Sequence, residues 1–394
     1  MPVGWTTSSP RRAVAATFGA FGLNGGVWAG ASAAVIARIG IVAFQFGVAL
    51  TLMTALYLAA MSAAGAIAAR FGIRRTLLAA LLAMGPVLAL LLAARTGVWL
   101  AVALALFGVF GGLLDSAMNA EGARVEQRSA KPIFAQFHAF ASGTTAVGAA
   151  LGGWLAFHGL GWIAVLIVEA GLLAAAAAVA RAISEPPGEP RVGGVSRPRV
   201  LESGLAMLGL AIGVSIVCET SALAWAALLL RHTAPSFAAY AGLGAAFFAA
   251  FQSAMRFGID RLRRRVSDRS LMLGSYAVAA FGLALVGADL GFGASAAGFS
   301  ILGAGTGAIV PCGFSLAARR PGLSAGAAIS AVSFFGLLPR APAPLLTGFV
   351  ADALSLSSAF FGLAALMLVA LVAVLFYVPA APRAAQLAPG GVAP

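Results

Sequence analysis

The sequence predicts an all-α membrane protein of twelve transmembrane helices arranged as two bundles of six. Three observations carry that prediction. The 394 residues are 61% hydrophobic and only 9% charged, with mean hydropathy +0.99, whereas a soluble domain carries roughly a quarter charged residues. About 20 apolar residues make one helical crossing, and twelve such segments can be counted. The longest hydrophilic stretch, RAISEPPGEPRVGGVSRPRV and the residues to 202, falls after the sixth. Its Pro and Gly suit a linker. The expected division is therefore residues 1–182, a linker at 183–202, and residues 203–394 with a short tail.

The segments run in order as follows. Span one covers 13–37; Arg11 and Arg12 precede it, and it is too long for the apolar part of a cleaved leader, so it is expected to remain in the membrane. Spans two and three, 44–68 and 76–94, flank a basic loop. Span four, 98–120, is free of charge until Asp115. Span five, 133–156, opens with His138. Span six, 160–180, holds Glu169. Span seven, 203–230, holds Glu219 and Trp225, and span eight, 236–258, ends in Arg256 and a run of arginines. Spans nine and ten cover 270–288 and 293–317. Span eleven, 323–350, carries Arg340 between Pro339 and Pro342, and span twelve covers 357–379. Internal Gly and Pro do not argue against helix, because membrane helices tolerate both.

Orientation follows from the basic residues. One face carries Arg11, Arg12, Arg70, Arg74, Arg75, Arg124, Arg128, Lys131, Arg181, Arg191, Arg197, Arg199, Arg261, Arg263, Arg264, Arg265, Arg269, Arg319, Arg320 and Arg383, or 20 of the 25. The other face has only Arg38, Arg95 and Arg231, while Arg256 and Arg340 fall in or at the edge of spans. That asymmetry places both termini in the cytoplasm. The net charge of +13 thus reports orientation, not nucleic-acid binding. Cys218 and Cys312 lie in apolar runs and read as reduced packing residues.

The halves read as repeats. Asn24–Trp28 has a counterpart in Ser221–Trp225, 197 positions on. Residues 70–75 resemble Arg256–Arg265. FGVFGG, 107–112, matches LGAGTG, 302–307, at an offset of 195. Internal repeats of this kind are a transporter trait, with the substrate site near the bilayer midplane.

The basic loop also carries a family resemblance. Gly65-Ala-Ile-Ala-Ala69-Arg70-Phe71-Gly72-Ile73-Arg74-Arg75 resembles the Gly-x-x-x-Asp-Arg-x-Gly-Arg-Arg signature of the major facilitator superfamily. Ala69 stands at the aspartate and Ile73 at an arginine, whereas the second copy keeps Asp260 and Arg261. In that family the loop latches the halves in the outward-facing state, which implies gating roles for Gly65, Arg70, Gly72, Arg74 and Arg75, with Arg256, Asp260 and Arg261 in the second half. Asp115-Ser-Ala-Met-Asn119, then Asn119-Ala-Glu-Gly-Ala-Arg-Val-Glu126 and Phe137-His-Ala-Phe-Ala-Ser142-Gly143, resemble the bacterial branch of the fucose–proton symporters. Two departures stand out. That branch has an acid in span one, where this chain offers Asn24 and Trp28, and Gly336–Pro344 replaces its Gly-rich span eleven.

The candidate residues each carry two readings. Asp115 sits in an apolar span where charge is expensive, so it is a functional candidate. It lies roughly 8 Å deep, a similar depth to His138, which makes the two either a proton site or a structural tie between neighbouring spans four and five. His138, Ser142 and Thr145 line one helix face. Glu219 is either a second proton or substrate group or a satisfied carboxyl. Trp28 and Trp225 are either platforms flanking a cavity or packing. Asn119 and Ser142 are polar candidates beside them. Arg340 needs a partner: an anionic substrate group, Glu219, or Glu169. Arg256, Asp260 and the following arginines read as a gating element, and Glu121 and Glu126 as partners of nearby arginines.

The expected function is alternating-access transport of a small organic, sugar-like solute, coupled to protons through Asp115, His138 and Glu219. The solute is expected to meet Asn24, Trp28, Asn119, Ser142, Trp225 and Arg340. A proton-antiporting exporter of drugs or metabolites is the rival. A membrane enzyme is disfavoured, because no P-loop or metal-ligand cluster is found and only three histidines occur. A transport-dead scaffold is disfavoured by the buried charges. No cofactor, metal or nucleic acid is expected, and the protein is read as a monomer in the bacterial inner membrane.

Overall fold

The structure is a computed structural model that describes residues 9–129, 133–184, 203–320 and 323–377. The linker arginines Arg191, Arg197 and Arg199, together with Lys131 and Arg383, lie outside the described residues. The first half comprises α1 (Ser9–Ile39), α2 (Ala43–Phe71), α3 (Ile73–Ala93), α4 (Gly97–Gln127), α5 (Phe134–Phe157) and α6 (Gly161–Ala182). The second comprises α7 (Ser203–Thr233), α8 (Leu243–Arg263), α9 (Asp268–Gly287), α10 (Phe292–Thr306) with α11 (Ile309–Ala318), α12 (Ala325–Leu337) with α13 (Ala343–Ala353), and α14 (Leu356–Tyr377). Among the described residues, ten helices are long and apolar enough to cross a membrane, with 292–318 counted as one. The more polar α8 and the α12–α13 pair complete twelve crossings.

Three expectations are corrected. Span eight begins later, because Pro235–Tyr240 forms a 3-10 turn ahead of α8. Span ten breaks between Thr306 and Ile309, where Pro311 cannot bond back to Gly307. Span eleven breaks between Leu337 and Ala343, the stretch holding Pro339, Arg340 and Pro342. Pro342 and Pro344 lack the N–H groups that would reach the carbonyls of Leu338 and Arg340. Pro339 and Pro342 implied a bend in span eleven from sequence, whereas the apolar character of span ten hid its break.

Small residues set the packing. On α1, Gly22, Gly26 and Gly30 lie against the backbone of Ala141, Thr145 and Ala149 of α5, and a Cβ at any of them would strike a carbonyl. Without a hydrophobic drive inside lipid, such close approach is how helices associate. Gly108 and Gly112 of α4 press on the carbonyls of Met53 and Tyr57 of α2. In the second half Gly303 of α10 presses on the carbonyl of Phe248, and Gly307, just past its end, on Gln252 and Met255 of α8. Gly108 and Gly303, Gly112 and Gly307, Met53 and Phe248, and Tyr57 and Gln252 are each 195 positions apart. The repeat seen in sequence therefore recurs as the same helix contact. Gly72, at φ 93°, turns the chain between α2 and α3.

The arginine-rich side, where α1 begins, is here called the basic face, and its opposite the far face. The halves meet where α1, α2 and α5 pack on α7, α8 and α13, whereas α4, α10, α11 and α12 pack chiefly within their own halves. At the far face Gly47 lies 2.7 Å, by its would-be Cβ, from the Pro344 carbonyl, and Gly348 the same from Ala43. There Asp352, near the end of α13, accepts hydrogen bonds from the backbone N–H of Ala43 and Phe44 at 3.0 and 2.8 Å. A carboxylate on the open N–H groups of α2 is favoured by the helix dipole. It ties the halves together at the far face.

Candidate functional site

Two polar centres occupy the interior between the halves. In the first, packing at Gly112 brings α2 against α4 and puts the Tyr57 ring one turn from Asp115. The Tyr57 hydroxyl donates to Asp115 Oδ2 at 2.7 Å, and Asn119 Nδ2 donates to Asp115 Oδ1 at 2.9 Å and to its backbone carbonyl at 2.8 Å. Both carboxylate oxygens thus accept from neutral donors; when the carboxyl is protonated the Tyr57 hydroxyl can turn to accept, whereas the Asn119 amide nitrogen can only donate. From the other half, the Arg340 guanidinium carbon lies 6.0 Å from the centre of the Tyr57 ring, within the range of a cation–π contact. Its buried Nε has no hydrogen-bond partner.

The second centre joins four helices. Arg256 Nη2 pairs with Glu219 Oε2 at 3.3 Å, and Ser215 Oγ donates to Glu219 Oε1 at 3.4 Å. Arg256 Nη1 donates to Ser142 Oγ at 2.8 Å, Ser142 Oγ to Gln252 Oε1 at 3.2 Å, and Gln252 Nε2 to Thr306 Oγ1 at 3.2 Å. Ser253 Oγ adds a 2.7 Å bond to the Ala139 carbonyl. Ser142 belongs to the first half and the rest of the chain of side chains to the second, so this network bridges the seam. Buried charge of this kind is tolerated only when paired and hydrogen-bonded.

Several sequence expectations are corrected by this geometry. Asp115 and His138 do not share a site. The glycine face of α1 draws α5 toward itself and away from α4, and the His138 ring stands edge-on to Phe18 and Phe134 at 5.1 and 5.0 Å. Glu219 pairs with Arg256, not Arg340, so Arg256 turns inward and is more than a gating element. Asp260 is exposed; the acid of the basic-face ion cluster is Asp268, bonded to Arg263 at 2.7 Å and Arg319 at 3.1 Å. Arg261 and Arg75 are exposed, as are Arg70 and Gly65, with the Arg70 guanidinium 5.4 Å over the Phe71 ring. Glu121 pairs with Arg124 at 3.4 Å as expected. Glu126 instead caps α5, accepting from the N–H groups of Ile133 and Phe134.

Asn24 is fully buried and donates to the Met84 carbonyl of α3 at 3.2 Å, a tie inside the first half. Trp225 is 1% exposed, with its ring edge-on to Phe46 of the opposite half at 5.1 Å, and Trp28 is also buried. Neither offers an open ring face in this conformation. Glu169 lies in the notch left by Gly85 of α3 and forms no ion pair with Arg340. Cys218 and Cys312 are buried and free. Among the described residues, no cluster of His, Cys, Asp or Glu could hold a metal. Sequence reasoning missed Tyr57, Gln252, Thr306 and Asp352. The 195-residue offset was the one available signal for the first two.

Comparison with known proteins agrees with this architecture. A family model described as Major Facilitator Superfamily matches residues 13–344. An uncharacterised transporter of Sinorhizobium fredii is 30% identical over 358 residues, covering 90% of this chain and 94% of its own length. An uncharacterised MFS-type transporter of Yersinia pestis is 30% identical over 280 residues, covering 70% and 71%. Among solved structures, a point mutant of the nucleoside transporter NupG superposes with a TM-score of 0.75 at 11% identity, covering 94% of this chain and all of that one. The human organic anion transporter MFSD10 gives 0.58 at 16% identity, covering 93% and 99%. These two share the fold. The chain belongs to the major facilitator superfamily and is a multi-pass membrane transporter, not an enzyme.

Proposed function

We propose that the protein is a proton-coupled carrier of a small polar organic solute in the bacterial inner membrane, working by alternating access with both termini cytoplasmic. The bodies that rock are residues 1–182 and 203–394, joined by the linker 183–202. The observation that carries the reading is Asp115: a carboxyl inside an apolar helix, held by Tyr57 and Asn119, with Arg340 approaching from the other half. Protonating it changes the charge at the seam and so the relative stability of the two conformations. Far-face closure by Gly47, Gly348 and Asp352 supports an inward-facing state for the conformation described. The matches around Asn119–Glu126 and Phe137–Gly143 support kinship with the fucose–proton symporters and a sugar-like solute. The nucleoside carried by NupG is a ring-bearing polar solute of the same broad kind.

The basic loop, Gly65 to Arg75, would act with Arg256 and Arg261 when the basic face closes. His138, enclosed by aromatic rings, serves as a positioning group in this reading, while Glu219 exchanges partners with Arg256 during the cycle. The test is solute-induced proton movement in proteoliposomes, read across a panel of sugars, nucleosides and sugar acids. Proton movement with at least one solute, lost in Asp115→Asn, is the expected result. Solute uptake without proton movement, or driving of solute out by an inward proton gradient, favours a uniporter or the exporter instead.

A further inference from the structure

We propose that Arg340, in the break of span eleven, receives a carboxylate of the transported solute, and that proton uptake at Asp115 opens Arg340 to it. This rests on the proton-coupled reading above and names its substrate class. Among the described residues, four charged side chains stand at depth around the seam: Asp115, Glu219, Arg256 and Arg340. Glu219 and Arg256 contact each other at 3.3 Å, which leaves that pair neutral. Among the described residues Arg340 has no carboxylate in contact, its buried Nε has no acceptor, and its guanidinium carbon lies 6.0 Å from the centre of the Tyr57 ring. A guanidinium carries five donors and no acceptor; Arg340 as a whole is half-buried, but its buried Nε donor is unpaired, and an unpaired buried donor is costly. A carboxylate fits that fork through two parallel hydrogen bonds.

The backbone at the break points the same way. Arg340 lies just before the N-terminus of α13, whose first N–H groups carry partial positive charge. The surroundings therefore favour an anion over a neutral hydroxyl compound. Tyr57 stands between the two charges, its hydroxyl on Asp115 and its ring under Arg340.

Among the described residues, the other charges of the packed helices are placed elsewhere or already paired. α1, α2 and α3 carry arginines only near their ends, α4 adds Glu121, Arg124 and Glu126 toward the basic face, and His138 of α5 is enclosed by Phe18 and Phe134. On the side of Arg340, α7 carries Glu219, held by Arg256, and Arg231 in its last turn, and Asp352 of α13 sits on the α2 N-terminus at the far face. In the empty carrier the Asp115 carboxylate is the counter-charge for Arg340. When a proton from solution bonds to an Asp115 oxygen, that negative charge is gone and the solute carboxylate replaces it. One proton and one monoanion then enter together, and the charge at the seam is the same before and after loading.

The experiment measures thermal stabilisation of the full-length protein by matched pairs: gluconate with sorbitol, glucuronate with glucose, and lactate with propane-1,2-diol. Wild type is expected to be stabilised by at least one anion and not by its neutral partner. That response is lost in Arg340→Gln and weakened about tenfold in affinity in Arg340→Lys, which keeps the charge but not the fork. Asp115→Asn, fixed in the neutral form, should keep the anion response and lose its pH dependence. Equal response to neutral partners, an unchanged anion response in Arg340→Gln, or no anion response at all overturns the proposal. Proton movement in liposomes driven by a neutral solute leaves the parent reading standing and sinks this one alone.

Discussion

Asp115 draws its chemistry from two neutral donors rather than from an adjacent base. Removing one of them isolates its contribution. Tyr57→Phe deletes the 2.7 Å bond to Oδ2, and a hydrogen bond to a charged acceptor contributes about 1.5–3 kcal/mol. Gradient-driven uptake is expected to fall about tenfold or more, with a change of only a few degrees in melting temperature; uptake at the wild-type rate would remove Tyr57 from the coupling site. Glu219 and Arg256 make a different kind of pair. Breaking one partner of a buried ion pair costs about 3–5 kcal/mol because the other is stranded. Glu219→Gln and Arg256→Gln should each lower the melting temperature more than the double variant, and simple additivity would contradict the pairing. The acids were legible in the sequence because charge in an apolar segment stands out. Tyr57 and Gln252 were not, since one neutral polar side chain in such a helix has no signature of its own.

Helix contacts, by contrast, were partly written in the glycines. FGVFGG and LGAGTG marked a repeat, and both turn out to be the faces on which α4 and α10 press on a neighbouring backbone. Gly112→Leu should force α4 from the Tyr57 carbonyl and destabilise the protein by about 1–3 kcal/mol or more, read as a lower melting temperature; a wild-type value would deny the close approach. The break in span ten stayed hidden, because a broken helix buried in protein keeps the apolar composition of an intact one, whereas Pro339 and Pro342 marked a bend in span eleven. The α4–α5 packing expected from a short loop is confined to the basic-face ends, where Gly122 meets Phe134 and Phe137: loop length constrains sequence neighbours, but the small-residue face of α5 chose α1. Asp352 belongs to this scale too. Its carboxylate on the α2 N-terminus should favour far-face closure by about 0.3–2 kcal/mol. Asp352→Ala is expected to raise thiol labelling of a cysteine placed at Phe44 by a few-fold, and unchanged labelling would deny the tie.

At the scale of the molecule, the twelve crossings and the two-bundle plan follow from hydropathy and repeat alone, because lipid leaves the backbone few alternatives to helix. What hydropathy does not encode is which charges meet across the seam. Glu219 had two arginines within plausible reach, and only the placement of α7, α8 and α12–α13 decided for Arg256, leaving Arg340 beside Tyr57. In the proposed cycle such cross-half contacts are made and broken, and Asp115, one hydrogen bond from the Tyr57 ring that Arg340 meets, is the group proposed to change charge beside them. The most direct test compares wild type with Asp115→Asn in proteoliposomes under two regimes, uptake driven by a proton gradient and solute exchange at equilibrium. Loss of the first with retention of the second is the predicted result. Gradient-driven uptake with unaltered pH dependence in Asp115→Asn would contradict the assignment of Asp115 as the coupling residue.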